Sequence, residues 1–386
     1  MKGKVYLDYA ATTPVDPVVL KVMLPYYSKD FGNASSLHYS GRRAAEALEK
    51  SRSVIAKAIG AENNEIIFTS SATESNNLAL KGVAFANRDK GNHIIISSIE
   101  HDCVLNTALW LGKQNFKITQ IPVDKYGLVN PRNIARAITK ETILVSIIWA
   151  NNEIGVVQPI AEIGKICKEK KVLFHTDAAQ AFGKIKIDVE NANVDLLTAS
   201  SHKIYGPKGA AFLFVKRGTL LTPILHGGGQ EFGLRSSTEN LPAIVGFAKA
   251  TEIAIDRMES DNKKLSGLRD KIINQILRKV PDSYLNGHPF RRISNIANLR
   301  FSFVEGESMI MELDAAGIAV STGSACSSPK LEPSHVLLAL NLRLEEIHGS
   351  VRISLGRWTT EEEVDYLLEV LPRVVKKLRK ISPFAN

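Results

Sequence analysis

Of 386 residues, only three are cysteine: Cys103, Cys167 and Cys326. Three distant thiols, none in a CxxC pair, exclude a disulfide-stapled fold and offer no zinc-site spacing. No stretch approaches the roughly 20 apolar residues that a membrane helix needs. The opening MKGKVYLDYAATTP has no apolar core of a secretory signal. A membrane role is therefore set aside, and a cytoplasmic, reducing setting that keeps thiols free is expected. The chain has no internal repeat and no low-complexity tract. His175, His226 and His335 show no metal-ligand spacing among themselves, so no catalytic metal is expected.

Charge is present in both signs, with an excess of one. The 49 basic and 40 acidic residues give +9 at pH 7, but the basic residues are spread along the chain. The densest cluster, RVVKKLRK at 373–380, has the spacing of a solvated helix face. Direct nucleic-acid binding is not expected on this pattern, and an acidic protein partner or an anionic ligand suits the charge at least as well. Hydrophobic residues at 44% and charged residues at 23% are ordinary for a globular protein.

The apolar segments are short and nearly continuous: EIIFTS (65–70), HIIIS (93–97), KITQIPV (117–123), TILVSIIWA (142–150), VLFHTDA (172–178), VDLLTAS (194–200) and AAFLFV (210–215). Stretches with helical spacing lie between several of them, and 18–28, 39–60 and 74–90 also read as helices. This alternation predicts an α/β fold with a mainly parallel sheet covered on both faces. From Pro242 a long helical region begins, with a bend expected near Ser260–Asn262. NIANLRFSF, IAVSTG and SVRISLG follow as strands, and TEEEVDYLLEVLPRVVKKLRK as a final amphipathic helix. The organisation expected is a large domain over 16–255 and a smaller α+β domain from 1–15 and 256–386.

Ligands of open α/β sheets bind at the carboxyl ends of the strands, so the polar residues there carry the functional reading. In TSSATESNN, Ser71 and Glu74 have capping-box spacing, and the helix start either is simply capped or holds an anion. His101 follows HIIIS, Asn151 and Asn152 follow another strand, and Asp177 ends a third with Gln180 three residues on. Each has an ordinary structural role open to it. Lys203 in SSHKIYGPKG stands at a fourth strand end, where desolvation would lower an amine's pKa and make it a nucleophile or base. Taken together, an anion site, an aromatic ring, amides, a carboxylate and a lysine are what pyridoxal 5′-phosphate requires.

STGSACSS (321–328) poses a separate question. Cysteine is among the most buried residue types, yet Cys326 stands in a Ser/Gly/Ala run with almost nothing to bury. Cys103 and Cys167, in helix-like segments, read as packing residues.

With those motifs in place, the chain resembles the NifS/IscS-like cysteine desulfurases. These are pyridoxal-phosphate enzymes of fold type I in the class V aminotransferase group. The likeness runs from YLDYAATTPVDP (6–17) through FGNASSLH, ATESNN, EHDCV, NNEIGVVQPI, HTDAAQAFGKI, SHKIYGPKG, HGGGQEFGLRSSTEN and STGSACSS to SVRISLGRWTTEEEVDYL (350–367). The resemblance implies that Lys203 carries the cofactor, with Asp177 on its ring nitrogen and His101 stacked on the ring. Asn152 and Gln180 would reach the phenolic oxygen, and Ala72, Thr73, Ser200 and His202 would bind the phosphate. Thr238 would complete that cradle from the neighbouring subunit of a homodimer. Arg352, with Asn33, would hold the substrate carboxylate.

Cys326 matches the family's persulfide cysteine, on a loop resembling the long-loop branch. It would take sulfur from L-cysteine, leave alanine, and pass the sulfur to an iron–sulfur scaffold protein or a tRNA-thiolation protein. A transient iron–sulfur contact at Cys326 is a further implication. Ser71, Ala34 and Ser237 depart from the family's commoner Gly, Pro and Gly, without removing a functional group. An aminotransferase or lyase on the same scaffold would need Lys203 and Asp177 but not Cys326. A non-catalytic protein that docks an acidic partner or RNA would bind no cofactor responsive to cysteine.

Overall fold

The computed structural model describes residues 4–322 and 333–382. Cys326 and the loop expected around it lie outside the described residues, except for Ser321 and Thr322. Among the described residues there are twelve strands. β1 (Val5–Tyr6) is followed by β2 (Ile66–Thr69), β3 (His93–Ser97), β4 (Lys117–Ile121), β5 (Thr142–Ser146) and β6 (Leu173–Asp177). Then come β7 (Leu196–Ser200), β8 (Ala211–Val215), β9 (Ser283–Leu285), β10 (Ile296–Phe301), β11 (Ile318–Ala319) and β12 (Ser350–Ser354).

Seven of these build one sheet in the order β2-β8-β7-β6-β5-β3-β4. β3 to β7 are parallel, and β8 is antiparallel to both its neighbours. All residues of β3, β5, β7 and β8 are buried, as strands covered on both faces must be. Side chains alternate between the faces. Phe68, Ile95, Val145, Leu197 and Phe212 join one apolar cluster. Their neighbours Ile67, Ile94, Leu144, Leu196 and Leu213 join another on the opposite face. The expected α/β architecture is the one observed.

A third apolar cluster surrounds the antiparallel sheet β12-β10-β9 and the final helix Glu361–Ile381. The region from 242 is one helix, Leu241–Lys279, which runs unbroken through Ser260–Asn262, where a bend was expected. Its first half packs Phe247, Ala250 and Ala254 into the large sheet's cluster. Its second half packs Leu265, Leu268, Ile272 and Ile276 into the third. The helix expected at 18–28 is instead two, Pro17–Met23 and Pro25–Ser28. Pro25 has no N–H with which to continue the first one.

Candidate active site

The carboxyl ends of β3, β5, β6 and β7 open onto a cavity of about 230 Å³. Ala72, Thr73 and His202 line one corner, His101, Asn152 and Asp177 the middle, and Gln180, Lys203 and Arg352 the remainder. Nine expected residues from six separate segments thus meet in one place. Ser200 is buried at the end of β7 beside this lining, while Asn33 and Thr238 are exposed and not among the residues that line it.

The anion corner is the start of the helix Ala72–Ala86. Ser71 caps it, its hydroxyl accepting from the Glu74 N–H at 3.1 Å. That leaves the first-turn N–H groups of Ala72 and Thr73 without intrahelical acceptors, pointing positive dipole at the cavity. The reciprocal half of the expected capping box differs. Glu74 accepts from the Ser70 N–H at 2.8 Å and from Arg235 Nε at 2.6 Å, rather than from Ser71. His202 closes the corner, its Nδ1 3.1 Å from Thr12 Oγ1. Burial, then the charges of Lys203, Lys208 and Lys184, pushes its pKa down to about 4, so it is neutral at pH 7.

Asp177 ends β6 at 3% exposure. Its Oδ2 accepts from Asn76 Nδ2 at 2.7 Å and its Oδ1 from the Ala179 N–H at 2.9 Å. Two fixed donors aim the carboxylate and leave it able to take a cationic N–H from the cavity. Gln180 donates from Nε2 to the Ala10 carbonyl at 2.9 Å, and the Lys184 ammonium donates to its Oε1 at 3.1 Å. The amide nitrogen is therefore the end that Gln180 presents toward the cavity. Burial draws Lys184 down to about 7.

Lys203 lies in the short turn Ser201–Lys203 directly after β7. Its Nζ donates to the carbonyls of Ala10 and Ala11, both at 2.8 Å. Residues 5–13 form a strap across the site. β1 pairs with β11, the Ser354 N–H donates to the Leu7 carbonyl at 2.8 Å, and Asp8 binds Arg352 Nη2 at 2.8 Å. Arg352, 2% exposed, projects from β12 and also donates from Nη1 to the Asn152 carbonyl at 3.0 Å. The bridge joins the small sheet to the cavity and fixes the guanidinium plane.

Two buried acids also line the cavity and were not singled out in the sequence. Glu100 takes hydrogen bonds from Ser97 and from the Ile148 N–H on Oε1. Its Oε2 has no partner among the described residues, and burial lifts its pKa to about 8. Glu153 accepts from the Ser334 hydroxyl at 2.6 Å, and burial raises its pKa too. His335 donates from Nε2 to the Glu100 carbonyl at 2.8 Å. Cys103, expected only to pack, lines the cavity beside His101.

The donor set fits pyridoxal 5′-phosphate. A helix start with two unpaired N–H groups suits its phosphate, an oriented carboxylate its ring nitrogen, amide N–H its phenolic oxygen, and a primary amine its aldehyde. Residues 5–367 match the family model described as aminotransferase class-V, and the chain belongs to that family of pyridoxal-phosphate enzymes. It is 53% identical over 379 residues to cysteine desulfurase IscS of Methanosarcina thermophila, covering 98% of this chain and 94% of that one. Against cysteine desulfurase IscS of Dictyoglomus turgidum the identity is 51% over 384 residues, covering 100% and 98%. The fold is similar to that of a solved NifS-like protein, with a TM-score of 0.92 and 37% identity over 97% of this chain and 100% of that one. A solved structure titled SspA in complex with cysteine is 39% identical, with a TM-score of 0.82, over 92% and 100%.

Proposed function

We infer that this chain is an L-cysteine desulfurase that places the released sulfur on Cys326 and supplies it to iron–sulfur cluster assembly. A role in tRNA thiolation is compatible with the same chemistry. The observation that carries the reading is the convergence of Lys203, Asp177, His101 and Arg352 on one cavity, in a chain about half identical to proteins named cysteine desulfurase.

Each residue has work that its surroundings suit. Arg352, held by Asp8 and the Asn152 carbonyl, takes the substrate carboxylate and sets which face of Cα meets Lys203. The cofactor, when bound, supplies an electron sink that makes the Cα proton acidic. Lys203 accepts that proton and returns it, its amine being held beside the cavity by the carbonyls of Ala10 and Ala11. His101, held below the ordinary histidine value by burial against the opposing pull of Asp177, is a neutral ring able to donate or accept. Sulfur transfer is then balanced within the pair. The Cβ–S bond of cysteine breaks, an S–S bond to Cys326 forms, and L-cysteine plus a thiol yields L-alanine plus a persulfide.

The proposed working unit is a homodimer in the cytoplasm, organised as a large domain (16–255) and a smaller one (1–15 with 256–386). Exposed Leu20, Leu24, Tyr27, Phe31, Leu37 and Tyr39 in one stretch of chain support a subunit interface there. Asn33 lies in that stretch, and Thr238 is exposed too, consistent with both serving the partner's cavity. No helix among the described residues is long and apolar enough to cross a membrane. Peptide mass spectrometry after a brief mix with L-cysteine, without reductant, tests the function. One added sulfur on Cys326, formed in step with alanine and lost in Cys326→Ala, is the expected result. Cofactor-band changes with Cys326 unmodified would sink it in favour of an aminotransferase or lyase.

A further inference from the structure

Cys103 packs against the apolar cluster on one face of the sheet, but its sulfur also faces polar groups. It is partly exposed to the cavity, in the first turn of the helix Asp102–Gly112, which His101 caps. His101 Nδ1 accepts the Cys103 backbone N–H at 3.2 Å, and the Cys103 sulfur lies 3.0 Å from the same nitrogen. A backbone N–H can only donate, so Nδ1 is an acceptor and carries no proton. The sulfur beside it must then be the donor. On its other side Cys103 Sγ accepts from Asn76 Nδ2 at 3.0 Å, and the same amide nitrogen donates to Asp177 Oδ2 at 2.7 Å. The donor directions are consistent throughout: Asn76 gives to the carboxylate and to the sulfur, and the sulfur gives to the imidazole.

We propose that Cys103 is a positioning residue that holds His101 as the Nε2–H tautomer, its backbone N–H and its S–H both donating into Nδ1, and that Asn76 ties this thiol to Asp177. The two groups expected to touch the cofactor ring, one at its nitrogen and one on its face, are thereby joined in a single four-residue network. With Nδ1 committed, Nε2 is the ring nitrogen left to the cavity, and it offers a proton rather than a lone pair. The network requires the thiol to stay protonated. Burial, reinforced by the Asp177 charge, pushes Cys103 far above the ordinary thiol value. A thiol of that kind is a poor nucleophile, so Cys103 does not compete with Cys326 for sulfur. The consequence for catalysis rests on the functional reading given above; the tautomer itself does not.

The test is nitrogen NMR of the cofactor-loaded protein labelled at histidine, read across pH. In the native protein and in Cys103→Ser, whose hydroxyl keeps the donor, His101 should show one pattern, Nε2 protonated and Nδ1 bare. Cys103→Val has similar bulk and no donor. One lost hydrogen bond should raise its His101 protonation midpoint by roughly 0.7 pH units. Asn76→Leu should move it in the same direction, since the S–H is then free to turn away. An unchanged midpoint in Cys103→Val, with native circular dichroism, would show a packing residue and overturn the proposal. So would a serine variant that behaves like the valine one. Because the readout needs no turnover, a protein that fails to desulfurate cysteine would leave this result standing.

Discussion

Replacing Arg52 by methionine should loosen the protein more than most single changes. Arg52 lies on the helix Tyr39–Ile59, and Glu231 lies 179 positions away. Their side chains are 3% and 1% exposed and meet in a two-pronged pair, Nη1 to Oε2 at 2.7 Å and Nη2 to Oε1 at 2.9 Å. Arg52 also donates to the Ile66 carbonyl at 2.7 Å, and Glu231 accepts the Phe68 N–H at 2.7 Å, so the pair seals the edge strand β2. Methionine fills the aliphatic stem but strands a buried carboxylate with one donor, a loss of about 3–5 kcal/mol. An unfolding entropy of about 2.1 cal/mol/K per residue gives roughly 0.8 kcal/mol/K for a chain of this length. The melting temperature in a thermal scan should therefore fall by about 4–6 °C. Arg52→Met combined with Glu231→Gln removes both charges and keeps an acceptor for Phe68, so it should melt above the single variant. A single variant within about 1 °C of native, or a double that melts no higher than the single, would refute the desolvation argument.

Other perturbations have equally definite outcomes. Arg352→Lys keeps a charge but loses the planar fork, so KM for L-cysteine should rise about tenfold or more; an unchanged KM would remove Arg352 from substrate binding. Glu100 has a folded pKa of about 8 against an ordinary 4.5, so the folded state binds its proton more tightly than the unfolded chain does. Its contribution to stability therefore falls as pH rises between those values, and Glu100→Gln should gain on native most at pH 8 and least near pH 5 in paired melts. A gap independent of pH would contradict that. Gly164→Ala sets a methyl group on the Ala192 carbonyl oxygen. Melting should drop while the cofactor spectrum is untouched, since the helix Ile160–Lys170 does not line the cavity.

The sequence made the sheet legible because its inner strands are apolar on both faces, and the site legible because polar side chains cluster where those strands stop. Asp177, Lys203 and His101 stand out for that reason. Other parts were hidden for physical reasons. The acceptors that hold Lys203 are the backbone carbonyls of Ala10 and Ala11, and a carbonyl has no signature in a residue's identity. The Arg52–Glu231 pair joins two segments with no local pattern in common. Cys103 looked like packing because its helix is apolar. The neighbouring His101 nitrogen, Asn76 amide and Thr73 side chain give its sulfur a task. Pro25, which divides the helix expected at 18–28, was a readable signal, and the run of apolar residues around it outweighed it.

The strap of residues 5–13 has a consequence for biosynthesis. Asp8 and Arg352 are 344 positions apart, and the Lys203 amine reaches back 193 positions to Ala10. At about 5–20 residues per second, Asp8 has been part of the growing chain for roughly 17–70 s before Arg352 is joined to it. Lys203 and its carbonyl acceptors are made far earlier than Arg352, the residue proposed to hold the substrate. A nascent chain can thus organise the amine end of the pocket while it still has no means of seating an amino acid. On the proposed reading, free cysteine meets a working site only after Arg352 has been joined and paired with Asp8.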